Sequence, residues 1–205
     1  MKNVLLASLL CLIALTATNA QATLITAESA QSNYQVGDSI ALIIDINEIE
    51  YDNVGFQKLL AIFNVDINFD ESVLAFDSIT FGNKLDVDPV FASFQDISQP
   101  APGTLNVGET SFAFFDDLFF AQDGLASFNL VTINFTALMS GMSDITLSNI
   151  QLTDDLGNSF SRITSSNTQL TVGNVATVPE PSTLSLLLLM LLGGLIVNHR
   201  RVQDS

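Results

Sequence analysis

The middle of the chain alternates apolar and polar residues with a period of two, the signature of strands that turn one face to a core and the other to water. Along residues 40–47, Ile40, Leu42, Ile44 and Ile46 share a face while Asp45 and Asn47 point the other way. The stretch 59–69 repeats the pattern. Leu59, Ala61, Phe63, Val65, Ile67 and Phe69 fall on one side, with Asn64, Asp66 and Asn68 opposite. The same reasoning predicts strands over 73–81, 110–115, 126–137, 144–152 and 168–172, with a weaker first strand near Leu24.

Turn signals separate these runs: Val36-Gly37-Asp38, Asp70-Glu71-Ser72, Gly82-Asn83, Asp123-Gly124, Ser140-Gly141 and Asp154-Asp155-Leu156-Gly157-Asn158. Seven or eight strands with no helical periodicity predict an all-β fold, an antiparallel β-sandwich. The segment 85–103, which holds Pro89, Pro100 and Pro102, is expected to be an exposed irregular loop.

Both ends of the chain break the pattern. Lys2 precedes an apolar run over 4–15, and small and polar residues follow as far as Ala20-Gln21-Ala22. That order predicts a signal peptide over 1–22, an N-terminal signal helix cut after Ala22 with Ala20 and Ala22 at the cleavage site. At the other end, residues 173–178 form a short linker, and 184–197 are apolar apart from Ser185 and Gly193-Gly194. A C-terminal transmembrane helix over about 182–198 is expected, just long enough for a core of about 30 Å. Arg200 and Arg201 then form a basic stop on the cytoplasmic side.

Val178-Pro179-Glu180-Pro181-Ser182-Thr183, the Leu-rich run and the arginine pair resemble the PEP-CTERM sorting signal of Gram-negative bacteria over residues 179–205. The resemblance implies recognition of the Pro-Glu-Pro motif by an exosortase, a membrane cysteine protease, and transfer from an inner-membrane intermediate to the cell surface. A plain single-span anchor is the alternative.

Between these ends lies a single domain, assigned to 23–172. Over 23–178, 20 acidic side chains stand against Lys58, Lys84 and Arg162, a net charge of −17. Binding to a phosphate backbone requires clustered Lys and Arg, so nucleic acid is excluded as a partner. The one cysteine, Cys11, lies in the signal peptide, and the one histidine, His199, lies in the tail. The domain thus has neither a disulfide, nor a thiol nucleophile, nor an imidazole base. Asp116-Asp117 and Asp154-Asp155 read as solvated turn residues rather than a facing carboxylate pair, and no catalytic residue is assigned. The domain is read as not an enzyme.

Four segments in order carry a second resemblance: YQVGDSIALIIDI from Tyr34, LAIFNVDINFDESVLAFDSITFG from Leu60, DGLASFNLVTINFTAL from Asp123 and ITLSNIQLTDDLGNSF from Ile145. Together they resemble a cohesin-like domain over residues 34–160. The resemblance implies a jelly-roll sandwich of the carbohydrate-binding-module superfamily, with a protein partner on one sheet face. The long 85–103 insertion and the Phe-rich stretch 112–120 depart from the family pattern. The competing reading is a carbohydrate-binding module acting on exopolysaccharide in a biofilm matrix. An aromatic row on a flat sheet face would mark a sugar binder, whereas an apolar patch with a polar rim would mark a protein binder.

Two places carry candidate binding chemistry. Asp154, Asp155 and Asn158 resemble a fragment of a calcium loop, as do Asp86 and Asp88, but no complete calcium motif is present, and Asp-x-x-Gly-Asn also reads as a tight hairpin with Gly157 at positive φ. No other cofactor is expected. In FFDDLFF, residues 114–120, two adjacent Phe pairs cannot all point inward from a strand. A buried loop cluster is expected there; an exposed Phe119 or Phe120 would instead form a protein-binding patch. Most of the phenylalanines are read as sitting in alternating strands and are expected in the core.

Overall fold

A computed structural model of the chain describes residues 22–174. The signal-peptide residues Ala20 and the rest of 1–21, the Val178–Thr183 motif, the transmembrane run and Arg200-Arg201 all lie outside the described residues. Among the described residues no helix is long and apolar enough to cross a membrane.

The strands are β1 (Thr23–Ser29), β2 (Asn33–Gln35), β3 (Ser39–Asn47), β4 (Leu60–Asn68), β5 (Leu74–Phe81), β6 (Phe94–Ala101), β7 (Thr104–Thr110), β8 (Ser127–Ala137), β9 (Gly141–Asp154), β10 (Ile163–Ser166) and β11 (Thr168–Gly173). One helix, α1 (Phe115–Gln122), stands between β7 and β8. The strands form two sheets, in the orders β10-β1-β3-β8-β5 and β2-β11-β9-β4-β7-β6. All pairings are antiparallel except β1 with β10 and β2 with β11, which are parallel. The chain thus places β10 and β11 in different sheets although only Asn167 separates them.

The alternating pattern becomes one core between the sheets. Ile40, Leu42, Ile44 and Ile46 of β3 face Phe63, Val65 and Ile67 of β4 in a single buried cluster, and Phe69 meets Phe135 edge-on at 4.9 Å. Ala61 departs from the expected inward face: the register shifts between Leu60 and Ile62, and Leu60 is the buried residue instead. A second bulge lies in β8, where Asn129 pairs with Asp45 and Val131 with Ile44, so Leu130 and Val131 both turn inward. The Asn129 amide closes this bulge by donating to the Ile44 and Val131 carbonyls and to the Asp45 carboxylate. Gly82 is required beside it, because a Cβ there would lie 2.0 Å from the Asn129 carbonyl oxygen.

Three expectations are corrected. The 85–103 segment is exposed, but its second half is β6, an edge strand whose every residue is exposed. Its register shifts between Ser98 and Ala101, around Pro100, which has no N–H to give to a ladder. The strand expected over 110–115 lies earlier, as β7, with Leu105, Val107 and Glu109 buried. FFDDLFF is neither strand nor buried loop but the start of α1.

Candidate functional site

The helix is short and docks through two residues. Only Leu118 and Gln122, one turn apart, are buried. Asp116 and Asp117 sit in the first turn, where the helix dipole favours negative charge, and Phe114 caps the start without a side-chain bond. Gln122 acts as a surrogate strand partner. Its Oε1 accepts from the Leu60 N–H at 2.7 Å, and its Nε2 donates to the carbonyls of Leu60 at 2.8 Å and Lys84 at 2.9 Å. These bonds serve the backbone where β4 breaks register, which is why a neutral amide is buried there.

With two residues holding the helix, its phenylalanines are left outside. Phe115 stacks on Phe119 at 5.7 Å, Phe119 meets Phe120 edge-on at 6.0 Å, and Phe114 meets Phe91 edge-on at 6.2 Å. Phe119 is 36% and Phe120 85% exposed, so the expected buried cluster is overturned. The expectation for the other phenylalanines also fails in part. Phe56, Phe91, Phe94 and Phe112 are exposed as well, and of these only Phe94 stands in a strand.

Beside the helix lies a groove of about 280 Å³ with three walls. The first is α1, with Phe115 and Phe119 and then Asp123. The second is the loop before β4. There Asp52 Oδ1 accepts from the N–H groups of Phe56 at 2.8 Å and Val54 at 2.9 Å, and Gly55 takes φ 93°, which turns Phe56 out into solvent. The Phe56 N–H is the leading cause that holds the Asp52 carboxyl below its ordinary pKa. The third wall is the turn after β9, with Asp154, Asp155 and an exposed Leu156.

Lys58 lies under the groove and is fully engaged. Its Nζ is 3.1 Å from Glu50 Oε1 and 3.9 Å from Asp154 Oδ2, donates to the Ser159 carbonyl at 3.2 Å, and sits 5.1 Å above the Phe160 ring. Burial pushes the Glu50 carboxyl up, but the Ser161 N–H, Lys58 and the Ser161 hydroxyl outweigh it and leave its pKa lowered. Burial, with the Asp154 charge beside it, raises the Asp155 carboxyl. Among the described residues no other residue donates a hydrogen bond to the Asp155 side chain.

The candidate calcium residues lie together, but the oxygens of Asp154 are already used. Asp154 Oδ1 accepts from the N–H groups of Asn158 at 2.7 Å and Leu156 at 3.1 Å, and Gly157 takes φ 81° in the turn so formed. Asp86 and Asp88 accept in the same manner from Ser93 and from Val90 and Phe91. Among the described residues no group of three or more His, Cys, Asp or Glu side chains is arranged to hold a metal ion.

Among the described residues neither sheet face carries an aromatic row. Of the strand aromatics only Phe94 is exposed; Tyr34, Phe63, Phe128 and Phe135 are buried, and Phe76 and Phe81 pack against the core. The outer side of the six-stranded sheet instead carries a polar network. Asn106 donates to Asn64 at 2.9 Å and to Asp66 at 2.6 Å, Thr104 donates to Asn68 at 3.0 Å, and Asn68 donates to Ser148 at 2.9 Å.

No protein-family model matches the sequence, and no curated protein matches it. Solved structures do. The second type II cohesin module of the ScaA scaffoldin of Acetivibrio cellulolyticus superposes with a TM-score of 0.60 at 17% identity, covering 77% of this chain and 94% of that one. The fold is cohesin-like. A non-cellulosomal cohesin from Archaeoglobus fulgidus gives a TM-score of 0.54 at 18% identity, over 74% of this chain and 91% of that one. The sixth cohesin of Acetivibrio cellulolyticus scaffoldin B, solved in complex with a Cel5 dockerin, gives 0.55 at 12% identity, over 74% of this chain and 99% of that one. The cohesin-like domain therefore shares its architecture with modules of low sequence identity, and its site must be argued from its own residues.

Sequence reasoning named Phe119, Phe120, Asp154, Asp155 and Asn158 but not Phe56, Leu156, Lys58 or Gln122. The missed signal is an apolar residue inside a turn motif: Phe56 ends Asp-Asn-Val-Gly-Phe, and Leu156 is the tip of Asp-Asp-Leu-Gly-Asn. A residue at such a place has no local partner to bury it.

Proposed function

We propose that this chain is an exported, non-catalytic binding module whose cohesin-like domain engages a protein through the groove beside α1. The observation that carries the proposal is the exposed Phe-rich ridge and groove, Phe56, Phe115, Phe119, Phe120 and Leu156, rimmed by Asp52, Asp123 and Asp155. Solvent-exposed aromatic clusters of this kind mark interfaces, where aromatic anchors supply most of the binding energy. A flat aromatic platform, which would favour an exopolysaccharide ligand, is missing from both sheet faces among the described residues.

Delivery is assigned to the ends of the chain. The signal peptide exports it, the C-terminal helix holds it in the inner membrane, and an exosortase reading Pro179-Glu180-Pro181 passes it to the cell surface or matrix.

The test of binding is capture from the producing organism's envelope with the tagged chain as bait, with isolated exopolysaccharide as competitor and with EDTA in a parallel arm. One protein retained despite competitor and chelator is expected, and its loss in a Phe56→Ser/Phe119→Ser variant ties it to the groove. Displacement by the polysaccharide contradicts the reading. For delivery, Glu180→Ala should leave full-length protein in the membrane; unchanged release contradicts sorting by exosortase.

A further inference from the structure

Resting on the reading that the domain binds protein, we propose that the groove takes a basic amphipathic segment of its partner. Apolar side chains would seat among Phe56, Phe115, Phe119 and Leu156, with Lys or Arg side chains against Asp123 and Asp155.

The walls set the first half of this chemistry. Five large apolar side chains, Phe56, Leu59, Phe115, Phe119 and Leu156, line one groove, and Lys58, the one cation in its lining among the described residues, is spent on Glu50, Asp154 and the Ser159 carbonyl. The rim sets the second half. Asp52, Asp123, Asp154 and Asp155 all line the groove. Asp155 is held against burial and against the neighbouring Asp154 charge, with no other residue donating to its side chain among those described. A cation brought by the ligand relieves that repulsion; an anion adds to it.

Charge also selects among occupants. Residues 22–174 hold 20 acids against Lys58, Lys84 and Arg162, so a second copy would bring another −17 to a surface of the same sign. An anionic membrane surface is repelled for the same reason. A neutral apolar segment would fill the walls but leave the rim unanswered. Complementarity of both kinds is met by a segment with an apolar face and basic flanks.

The probe is a fluorescein-labelled synthetic peptide of leucines and lysines arranged with one apolar and one basic helical face. Controls are the same peptide with Lys replaced by Glu, and with Leu replaced by Ser. Binding to the full chain is read by anisotropy at about 0.15 M salt, where surface charges act over about 8 Å. An acidic protein attracts any cationic peptide, so the variants decide. Phe56→Ser with Leu156→Ser, and Asp123→Asn with Asp155→Asn, should each weaken the Leu/Lys peptide by about ten-fold or more. Glu28→Gln with Glu71→Gln removes the same charge from exposed positions outside the groove and should leave affinity within about two-fold.

Equal weakening by both charge pairs, or no effect of the apolar pair, overturns the proposal as diffuse electrostatics. Tighter binding of the Leu/Glu peptide at the groove overturns the basic partner while leaving a protein-binding groove in place. Envelope capture displaced by polysaccharide overturns the underlying reading itself, so the two failures are distinguishable.

Discussion

Gln122→Leu separates the helix that frames the groove from the sandwich that carries it. The side chain keeps its size, so packing beside Leu118 is little changed, but three hydrogen bonds disappear. The Lys84 carbonyl belongs to a half-buried residue, whereas Leu60 is fully buried and its N–H and carbonyl are left without these partners. Two dry backbone groups cost about 1–3 kcal/mol each, and added apolar burial returns about 1 kcal/mol, leaving a net loss of about 3 kcal/mol. If the loss is global, the urea midpoint falls by about 1.5 M at a slope of about 2 kcal/mol per molar. If only α1 undocks, the midpoint moves less and the Leu60 amide exchanges about 100-fold faster. Equilibrium urea unfolding and hydrogen exchange on the same sample distinguish these outcomes. A midpoint within about 0.3 M of the parent together with unchanged exchange at Leu60 would refute the role assigned to Gln122.

Three further perturbations probe the scaffold. Gly82→Ala drives a methyl into the Asn129 carbonyl and should cost about 3 kcal/mol or more in thermal or urea unfolding; a neutral effect would contradict the close approach of β5 to the β8 bulge. Asp154→Ala removes the acceptor for the Leu156 and Asn158 N–H groups and one partner of Lys58, and should cost about 1–3 kcal/mol and weaken groove binding together. Glu109 is buried, and burial is the first cause that raises its carboxyl, with bonds from the Ser93 hydroxyl and the Gln95 amide opposing it and the Asp86 charge adding to it. A raised folded-state pKa means that its contribution is fully present below the unfolded carboxyl pKa and is lost as pH rises through the folded value. Glu109→Gln should therefore stabilise the protein at neutral pH and flatten the pH dependence of its unfolding midpoint above about pH 4.3. A variant less stable than the parent at pH 7 would contradict that sign.

The sandwich was legible wherever burial alternates. β3 carries an apolar residue at every second position, β4 from Phe63 and β8 from Val131 do the same beyond their register shifts, and a two-residue period is a local property of the chain. β6 was illegible because an edge strand exposed at every residue has no periodicity to read, and Pro100 argued against a strand. The parallel pairings of β1 with β10 and β2 with β11 join positions more than a hundred residues apart, which no local pattern encodes. In α1 the inward face is Leu118 and a polar Gln122, so hydrophobicity pointed at the Phe pairs while the docking came from an amide and a register shift in β4. The same reason hid the groove. Its walls come from three segments far apart in sequence, and only its α1 and Asp154–Asn158 parts were visible as motifs.

The sheets give the domain rigidity, and the polar network on the six-stranded side uses its own amides and carboxylates internally. Exposed apolar side chains line a concave surface at the helix, the loop before β4 and the turn after β9, held by buried or ion-paired anchors, whereas other exposed apolar residues such as Val90, Phe94, Met139 and Met142 lie outside that groove. Placing recognition on loops over a fixed scaffold is a common division of labour in β-sandwiches.

In-cell photo-crosslinking tests the groove most directly. A benzophenone amino acid is placed at Phe120, at Ala41 on the five-stranded sheet, or at Ser98 on β6. A discrete protein adduct from position 120 alone, mapped by mass spectrometry to an apolar segment flanked by Lys or Arg, is the expected result. Adducts from Ala41 or Ser98 instead, or no protein adduct from position 120 in the exported chain, would contradict recognition through the groove.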